Sequence, residues 1–363
     1  MNNIIHVQPA LPKYRHDFFE RLSRVYNSKM KVYYSLGALG ALTAPVQFEW
    51  AFARLAIKPL PGGLSWQPGV AMLSIKKNDI LVLSGNPRQL STLILLFRAK
   101  ACGAHVVWWG HYWSSTSQRW RQILRFVPMA LADALLFYTD DEVKAFHNDS
   151  AAPRKKRPIS ALNNGINIDP ILDVRQEYDA SKRESAVMFI GRLTKKANLS
   201  LLFYALFELG SIAPDIYIVG DGEEKTHLKS IAKDLGVGDK IHWCGALTDE
   251  SDISVIANRC KAFVYPGEVG LSLIHAMAYG LPAIVHNDRR LHMPEIAAFK
   301  DGESGRTFSH NNSSSLTEVI ENILVNDEKL NSYSLVARRI VQNDYNTENM
   351  ANRFLKLVTE MSG

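Results

Sequence analysis

Short apolar runs alternate with amphipathic segments along the whole chain. The runs have the length of buried strands, and the segments between them place apolar residues at helical spacing. Strands that alternate with helices predict parallel sheets, because each helix carries the chain back to the same sheet edge. The predicted strands are Ile4 to Val7, Lys31 to Tyr34, Ile80 to Leu83, His105 to Trp109, Ala134 to Tyr138, Ala186 to Ile190, Ile216 to Val219, Ile241 to Trp243, Ala262 to Tyr265 and Ala283 to Val285. The pattern therefore predicts an α/β protein with one Rossmann-like, doubly wound parallel sheet in each half.

A polar, turn-rich stretch separates the two sets of strands. Ser150 to Arg157 is basic and contains a proline, and Ala161 to Pro170 is rich in turn-forming residues. Such composition is typical of a linker. We therefore predict an N-terminal domain over residues 1–170 and a C-terminal domain over 171–345. The last segment, 346–363, is predicted as a helix that caps the second domain or packs back toward the first.

The two halves of the chain differ in charge. Residues 1–170 hold 21 Lys and Arg against 10 Asp and Glu, a balance of +11, whereas the remaining residues hold 21 against 26, a balance of −5. A basic half attracts phosphate on a nucleic acid, a lipid headgroup or a phosphorylated substrate. A solvated surface with a bias in sign is the simpler explanation, and both stay open.

Composition argues against several classes of protein. No stretch reaches the roughly 18 to 20 uninterrupted apolar residues that span a bilayer, and the start lacks the charged and apolar regions of a signal peptide. Cys102, Cys244 and Cys260 have no paired spacing, which argues against a disulfide framework or a cysteine metal site. We therefore expect a cytoplasmic protein.

Glycines and charged residues follow the first two predicted strands of the second half. Gly191 to Lys196 reads GRLTKK, in which Arg192 can grip a diphosphate bidentately and a lysine adds a point charge. After the next strand come Gly220, Asp221 and Gly222, whose glycines allow a tight turn that leaves room for a nucleotide. Ligands bind beyond the carboxyl ends of such strands. A solvated basic turn and an ordinary strand-to-helix turn explain the same residues.

The stretch from Ala262 to Val285 reads AFVYPGEVGLSLIHAMAYGLPAIV. It predicts a strand, a loop, and a helix from near Leu271 to Ala278. Free amides at a helix start favour an anion. His275 lies about one turn into this helix, and its spacing from Glu268 predicts that the two share a side. Packing is the alternative explanation for a lone histidine.

In this order, the motifs of the second half resemble the donor-binding domain of glycosyltransferase family 4, a group of retaining enzymes with the GT-B fold. The resemblance covers Ala186 to Phe308 and rests on GRL with lysines, VGDG, YPGEVGLSLIHAMAYGLPAIV, MPEI and DGESGRTF. It implies two Rossmann-like domains facing a central cleft. It also implies that Arg192 and a nearby lysine bind the diphosphate of a nucleotide sugar. The loop residues it assigns to sugar and phosphate, through their backbone, are Gly267, Val269, Gly270 and Leu271.

The chain departs from the family pattern at two glutamate positions. Alignment on Gly270 and Leu271 puts Gly267 and His275 where the family has glutamates, and Glu268 stands one place late. The resemblance assigns the second position to the ribose hydroxyls, and an imidazole can fill that role by hydrogen bonding. The form Pro-Gly-x-Val-Gly-Leu-x-x-x-His resembles a bacterial surface-polysaccharide subset of the family.

The family lysine position is also changed. It falls on Ala197, so we assign its role to the neighbouring Lys196 rather than to Lys195. In the first half, the resemblance implies that His111, after the strand that ends at Trp109, contacts the donor sugar or its phosphate. His111 and Glu268 are therefore the candidate catalytic residues.

Basic residues also follow the first predicted strand of the chain. Lys13, Tyr14 and Arg15 are candidates for phosphate contacts on donor or acceptor. Simple exposure is the alternative.

The segment from Gln118 to Met129, QRWRQILRFVPM, mixes cations with large apolar residues. The pattern is typical of a helix at a lipid headgroup layer, and ordinary packing against the sheet explains it equally well. With the basic balance of the first half, it favours an acceptor at the membrane edge and peripheral contact with the anionic inner face of the cytoplasmic membrane.

These features predict a metal-independent hexosyltransferase without a cofactor. Its donor would be a UDP- or GDP-linked sugar and its acceptor a glycan or lipid-linked saccharide of bacterial surface polysaccharide, such as lipopolysaccharide. The chain has no Asp-x-Asp pair to hold a metal on the diphosphate. Retention of configuration is implied by the resemblance, and no nucleic-acid partner is expected.

Other functions remain open from the sequence. They are a GT-B sugar-nucleotide epimerase and a catalytically silent nucleotide-sugar-binding protein. A nicotinamide-dependent enzyme is disfavoured, because no strand is followed by Gly-x-Gly-x-x-Gly.

Overall fold

The computed structural model of the protein describes residues 3–37, 46–112 and 119–362. Its strands are β1 (Ile4–Val7), β2 (Met30–Ser35), β3 (Ala51–Arg54), β4 (Lys58–Leu60), β5 (Leu64–Trp66), β6 (Ile80–Ser84), β7 (His105–Trp109), β8 (Ala134–Phe137), β9 (Ile159–Ala161), β10 (Glu184–Ile190), β11 (Asp215–Val219), β12 (Ile241–Gly245), β13 (Cys260–Tyr265), β14 (Ala283–His286) and β15 (Gly305–Phe308). Its α-helices are α1 (His16–Tyr26), α2 (Leu90–Ala101), α3 (Arg119–Leu131), α4 (Asp140–Asn148), α5 (Asp169–Val174), α6 (Ser200–Leu209), α7 (Lys225–Asp234), α8 (Glu250–Ala257), α9 (Leu271–Ala278), α10 (Ser313–Leu324), α11 (Asp327–Asn343) and α12 (Thr347–Ser362).

The first compact unit contains Met1–Asn163 and Thr347–Gly363. Its main sheet has the order β3-β2-β1-β6-β7-β8-β9, and every neighbouring pair is parallel. The chain moves outward from β1 in one direction and then from β6 in the other. The strand order therefore reverses between β1 and β6, which is where ligands bind in open sheets of this kind.

The second compact unit contains Asn164–Asn346. Its parallel sheet has the order β12-β11-β10-β13-β14-β15, so the order reverses between β10 and β13. These strands are apolar because helices cover both faces of such a sheet, and Val187, Phe189, Ile218 and Phe263 are fully buried. Both units therefore confirm the predicted doubly wound α/β fold.

All ten predicted strands are present, with ends that differ from the prediction by at most two residues. The sequence pattern missed β3, β9 and β15 and the antiparallel β4–β5 pair. These strands have three or four residues each and carry exposed or half-buried side chains, as in β3 and β4. A short strand with exposed positions lacks the continuous apolar run by which the others were found.

The end of the chain belongs to the first unit. Helix α12 buries Phe354 in the core of that unit, with its ring 5.2 Å from the ring of His6, and Arg353 donates to Asp140 at 2.9 Å. The first unit ends its initial segment at Asn163, whereas the predicted boundary stands after residue 170. No helix in the described ranges combines the length and apolar character needed to cross a bilayer.

Candidate functional site

Two loops meet at the strand-order reversal of the second sheet. The loop after β10 carries Arg192 and Lys196, and the loop after β13 carries Glu268. Because β10 and β13 are neighbours in the sheet, their carboxyl ends lie side by side. The structure therefore brings together the central donor-site candidates of the second unit.

The glycines in these loops permit backbone contact between neighbouring loops. A Cβ on Gly220 would lie 1.9 Å from the carbonyl oxygen of Gly191, and one on Gly222 would lie 2.3 Å from that of Leu193. A Cβ on Gly267 would lie 1.9 Å from the carbonyl oxygen of Lys196. The sequence predicts that Gly220 and Gly222 leave room for a nucleotide, but backbone atoms occupy the space beside them.

Lys196 and Glu268 form an ion pair. The ammonium of Lys196 lies 2.8 Å from Glu268 Oε2, and the Glu268 amide donates to the Lys196 carbonyl at 3.0 Å. The lysine side chain is 71% exposed, so the pair contributes little to stability and its cation can change partners at low cost. The candidate catalytic carboxylate is therefore bonded to the candidate phosphate ligand.

Arg192 is an exposed cation without a partner among the described residues. It follows Gly191, and no hydrogen bond or ion pair joins its guanidinium to another residue of the described chain. All of its N–H donors are therefore available to an anion.

The amides of the β13 loop differ in their availability. The amide of Glu268 is bonded to Lys196 as described above, and that of Val269 donates to Nδ1 of His292 at 3.1 Å. At the start of α9, no partner for the amides of Gly270 and Leu271 is found in the part of the chain that the structure covers. The available donors therefore lie at the helix start rather than throughout the predicted loop.

His292 holds the β13 loop in place. Its Nδ1 accepts from Val269, its Nε2 lies 2.9 Å from the carbonyl oxygen of His286, and the Met293 amide donates to the Val269 carbonyl at 2.9 Å. These contacts require a neutral ring that donates from Nε2. Burial lowers the pKa of His292 below its ordinary value, which favours that neutral form.

His275 is bonded to Glu250, the first residue of α8. The Nε2 atom of His275 lies 2.9 and 3.0 Å from the two oxygens of Glu250, and the Tyr279 hydroxyl donates to the same carboxylate at 2.7 Å. Burial acts to raise the pKa of Glu250, but the bond and charge of His275 outweigh it and hold the pKa below its ordinary value. The sequence predicted that His275 shares a side with Glu268, whereas each of the two has a different partner.

Asp221 caps the turn after β11. Its carboxylate accepts from the Gly222 amide and from Lys225, each at 2.8 Å. The hydrogen bond from Lys225 is the main reason that the pKa of Asp221 lies below its ordinary value. A carboxylate used in this way orders the loop.

In the first unit, a buried carboxylate holds His111. Glu142 accepts from the amides of Tyr112, Tyr138 and Thr139 at 2.9 to 3.1 Å, and its Oε1 lies 3.3 Å from Nδ1 of His111. It occupies its position because Thr139 and Glu142 form the capping box of α4. The imidazole stacks on Tyr138 with 4.2 Å between ring centroids, and about half of the His111 side chain is exposed. Because an ionised carboxylate can only accept, Nδ1 of His111 donates to Glu142. The other ring nitrogen, Nε2, is then available to a ligand.

The three candidates after β1 differ in exposure. Lys13 and Tyr14 are exposed, whereas Arg15 is only 8% exposed and lies against the ring of Trp109. Arg15 is therefore not a simple surface cation.

The predicted amphipathic segment forms helix α3. Phe126 and Met129 are buried in the core of the first unit, and Val127 is 53% exposed. The side chains of 119–124, including Trp120, Ile123 and Leu124, lie outside the described residues, as do Trp113 and Gln118. Membrane contact of this segment stays a prediction.

Sequence reasoning missed several of these polar groups. Glu142 had a local signal, because a threonine followed three residues later by a glutamate predicts a capping box. Glu250 and His292 lie 25 and 23 residues from the groups they contact, so no local pattern identifies them. Glu295, within the MPEI motif, is buried and accepts from Asn164, which is 131 residues away.

Residues 171–339 match the family model described as Glycosyl transferases group 1. The match spans Arg192, Lys196, the β13 loop and Glu250.

Relatives in sequence are glycosyltransferases. An uncharacterized glycosyltransferase of Haemophilus influenzae is 24% identical over 291 residues, which cover 76% of each chain. The lipopolysaccharide core biosynthesis glycosyltransferase LpsE of Rhizobium meliloti is 22% identical over 206 residues, covering 56% of this chain and 58% of LpsE.

A solved structure extends the likeness to the whole chain. HepE of Anabaena, crystallised in complex with UDP, aligns with a TM-score of 0.72 at 15% identity, over 99% of this chain and 100% of HepE. At this identity the likeness establishes the fold. The protein therefore has two Rossmann-like domains of the GT-B type, and residues 171–339 of the second are similar to the family described as Glycosyl transferases group 1.

Proposed function

We propose that the protein transfers a sugar from a nucleotide-sugar donor to a saccharide acceptor, with the diphosphate bound at the β10 and β13 loops. The observation that carries the proposal is the guanidinium of Arg192, which has no partner among the described residues and stands on the loop that also carries Lys196. That loop approaches α9, because a Cβ on Gly191 would lie 3.4 Å from the Ser272 hydroxyl. Cations and helix-start amides neutralise the charge that develops on a departing diphosphate. Gly191, Gly220, Asp221 and Gly222 then order the loops around it.

In the transfer step, the bond between the anomeric carbon and the diphosphate oxygen breaks, and its electron pair stays on the diphosphate. The acceptor oxygen bonds to the oxocarbenium-like carbon and gives up its proton to the departing diphosphate or to water. Lys196 and Arg192 stabilise the added charge. Lys196 must then exchange Glu268 for phosphate, which its exposure allows. Retention of configuration, and the action of His111 on the donor sugar or phosphate, remain part of the proposal.

We assign the ribose hydroxyls to the pair formed by His275 and Glu250. The carboxylate of Glu250 receives bonds from His275 and Tyr279, yet its two oxygens offer about four acceptor positions. A ribose hydroxyl can therefore donate to it. The pair would replace the glutamate that the family pattern places at position 275.

The donor base and the acceptor class have weaker support. HepE was crystallised with UDP, which favours a UDP-linked donor. LpsE acts in lipopolysaccharide core biosynthesis, which favours a bacterial surface-polysaccharide acceptor. Metal independence, cytoplasmic location and contact with anionic membrane stay predictions from the sequence.

The test is thermal stabilisation by a panel of UDP- and GDP-sugars, because a ligand that binds only the folded state raises its melting temperature. Arg192→Ala should weaken binding of the stabilising nucleotide sugar by about 10- to 100-fold, the range for losing a charge-assisted hydrogen-bonding partner. Arg339→Ala, which removes an exposed arginine on α11, is the matched control and should bind normally. Equal affinity of the two variants would remove the diphosphate from this site.

Product analysis separates transfer from the other functions. Incubation of the donor alone would yield an epimer if the protein were an epimerase. Binding without transfer to any acceptor in a saccharide panel would identify a silent binding protein.

A further inference from the structure

Among the described residues, Arg15 is a buried cation whose guanidinium has no anionic partner. The residue ends the short 3-10 turn Lys13–Arg15 after β1 and is 8% exposed. No hydrogen bond or ion pair connects its guanidinium to any residue within 3–37, 46–112 or 119–362, and its Nη1 atom is buried without an acceptor there. Charges in protein interiors are normally paired, because leaving water without a partner costs several kcal/mol.

Aromatic rings surround this cation. Its Cζ atom lies 5.0 Å from the ring centroid of Trp109, 5.5 Å from that of Tyr14 and 6.0 Å from that of Tyr138. Ring faces attract a guanidinium, but they do not accept its five in-plane N–H groups. Among the described residues, the indole Nε1 of Trp109 is a second buried donor without an acceptor. Two buried donor groups therefore lie together without an acceptor from the described residues.

Carboxylates at the same edge of the sheet are already bonded. Glu142 accepts from three backbone amides and contacts His111, as described above. The carboxylate of Asp140 accepts hydrogen bonds from Arg353 at 2.9 Å and from Asn163 at 2.7 Å. Neither is available to neutralise Arg15.

Position in the fold also points to a ligand. Arg15 follows β1, and the strand order of the first sheet reverses between β1 and β6, where ligands bind in such sheets. The loop after β6 leads to Arg88, whose charge adds to burial in lowering the pKa of Arg125. A second cation, Arg88, therefore lies on a loop that leaves the strand-order reversal.

We propose that Arg15 binds an anionic oxygen group of a substrate, either a phosphate or a carboxylate. A guanidinium presents two parallel N–H donors that match either group. The group is the diphosphate of the nucleotide sugar or an acidic group on the acceptor saccharide. The inference rests on the proposed function for its choice of substrates, but its binding test is independent of that function.

The experiment measures melting temperatures at constant ionic strength in an Arg192→Gln background, which removes the proposed phosphate ligand of the second unit. Inorganic phosphate and glucuronate are the probes, and glucose is the neutral control. At ten times its dissociation constant, a bound anion should raise the melting temperature by about 3–6 °C. Adding Arg15→Gln should abolish that shift, whereas adding Arg24→Gln, an exposed arginine on α1, should preserve it.

UDP distinguishes the two sources of the anion. If Arg15→Gln alone reduces the UDP shift by half or more, Arg15 binds the donor diphosphate. If UDP still raises the melting temperature fully while phosphate and glucuronate no longer raise it, Arg15 binds an acidic group on the acceptor. Should Arg15→Gln fail to fold, Arg15→Lys is the second variant, because it keeps the positive charge but loses the paired N–H donors of the guanidinium. It should at least halve the rise in melting temperature that the bound anion produces.

The proposal is overturned if neither phosphate nor glucuronate stabilises the Arg192→Gln protein. It is equally overturned if the shifts are the same with and without Arg15. Failure of the proposed function looks different, because then nucleotide sugars would bind normally to Arg192→Ala or not bind at all.

Discussion

The two units share one sheet plan but satisfy their polar groups in different ways. In the second unit, the cations at the strand-order reversal are exposed, and one of them, Lys196, already has an exchangeable carboxylate partner in Glu268. In the first unit, Arg15 is buried against aromatic rings, and His111 is held by the fully buried Glu142. Lys196 in the second unit can thus exchange one anion for another. In the first unit, by contrast, the buried guanidinium of Arg15 has no anionic partner among the described side chains.

Each unit also has a pair of glycines just after two neighbouring strands, β6 and β7 in the first unit and β10 and β11 in the second. In the first, a Cβ on Gly110 would lie 2.6 Å from the Cα of Gly85; in the second, a Cβ on Gly220 would lie 1.9 Å from the Gly191 carbonyl oxygen. Each contact is between backbones, so it cannot be relieved by rotating a side chain. In each unit the glycines therefore permit the loops after two neighbouring strands to pack closely.

The largest effect is expected from filling these contacts. Gly220→Ala and Gly110→Ala should each destabilise the unit they belong to by about 3 kcal/mol or more, because overpacking forces the backbone apart. Urea unfolding with a probe in each unit measures the loss. Gly238→Ala is the control, since nothing lies within 4 Å of its added Cβ. If Gly220→Ala were as stable as Gly238→Ala, close packing would not explain the glycine.

Glu142→Gln should have the next largest effect. An amide retains one acceptor but places NH2 donors against backbone N–H groups, so about 2–3 kcal/mol of stability should be lost in the first unit. Urea unfolding again reports the change, and turnover should fall because His111 loses its anchor. Asp141→Asn, on the exposed side of the same helix, should change stability by roughly 0.5 kcal/mol or less. A stable Glu142→Gln protein would show that the buried carboxylate is not needed for the loop.

The strands and the start of α9 could be predicted from the sequence because their signal is local. The apolar runs predicted ten strands, and the loop-to-helix pattern placed a helix from near Leu271 to Ala278, as observed. Side-chain partners were harder, because contact across the fold is not encoded in nearby residues. The sequence singled out His275 as a candidate but gave no sign of Glu250, which approaches it from the helix after another strand. Likewise, the basic residues after β1 gave no sign that Arg15 is buried.

Acid should destabilise both units through buried histidines. Burial lowers the pKa of His6 in the first unit to about 3, and burial with neighbouring histidines does the same for His286 in the second. Below the unfolded pKa of about 6.5, the unfolded chain binds protons that the folded chain excludes. Stability is therefore complete above about pH 6.5 and falls by up to about 1.4 kcal/mol per pH unit for each histidine as the pH drops toward 3.

His6→Leu separates the two units in this experiment. Both ring nitrogens of His6 are buried without a partner among the residues that the structure describes. An apolar side chain of similar size should therefore add about 1–3 kcal/mol at neutral pH and flatten the acid loss of the first unit alone. Unfolding free energies from pH 7 to pH 4 measure both effects. An unchanged acid profile would show that the first unit loses stability through other groups.

The smallest effect concerns the exchangeable pair of the second unit. Glu268→Gln should free Lys196 and tighten UDP binding by about 2- to 5-fold, because an exposed ion pair is worth at most about 1 kcal/mol. Lys196→Gln should weaken binding by a similar factor, and both changes should shrink as salt rises. Titration calorimetry at two salt concentrations measures them, and Glu303→Gln, whose carboxylate makes only a long contact of 4.0 Å with Lys300, is the matched control. If Glu268→Gln instead weakened UDP binding, the carboxylate would itself organise the nucleotide site, and the second unit would lose the simple exchange of anions that distinguishes it from the first.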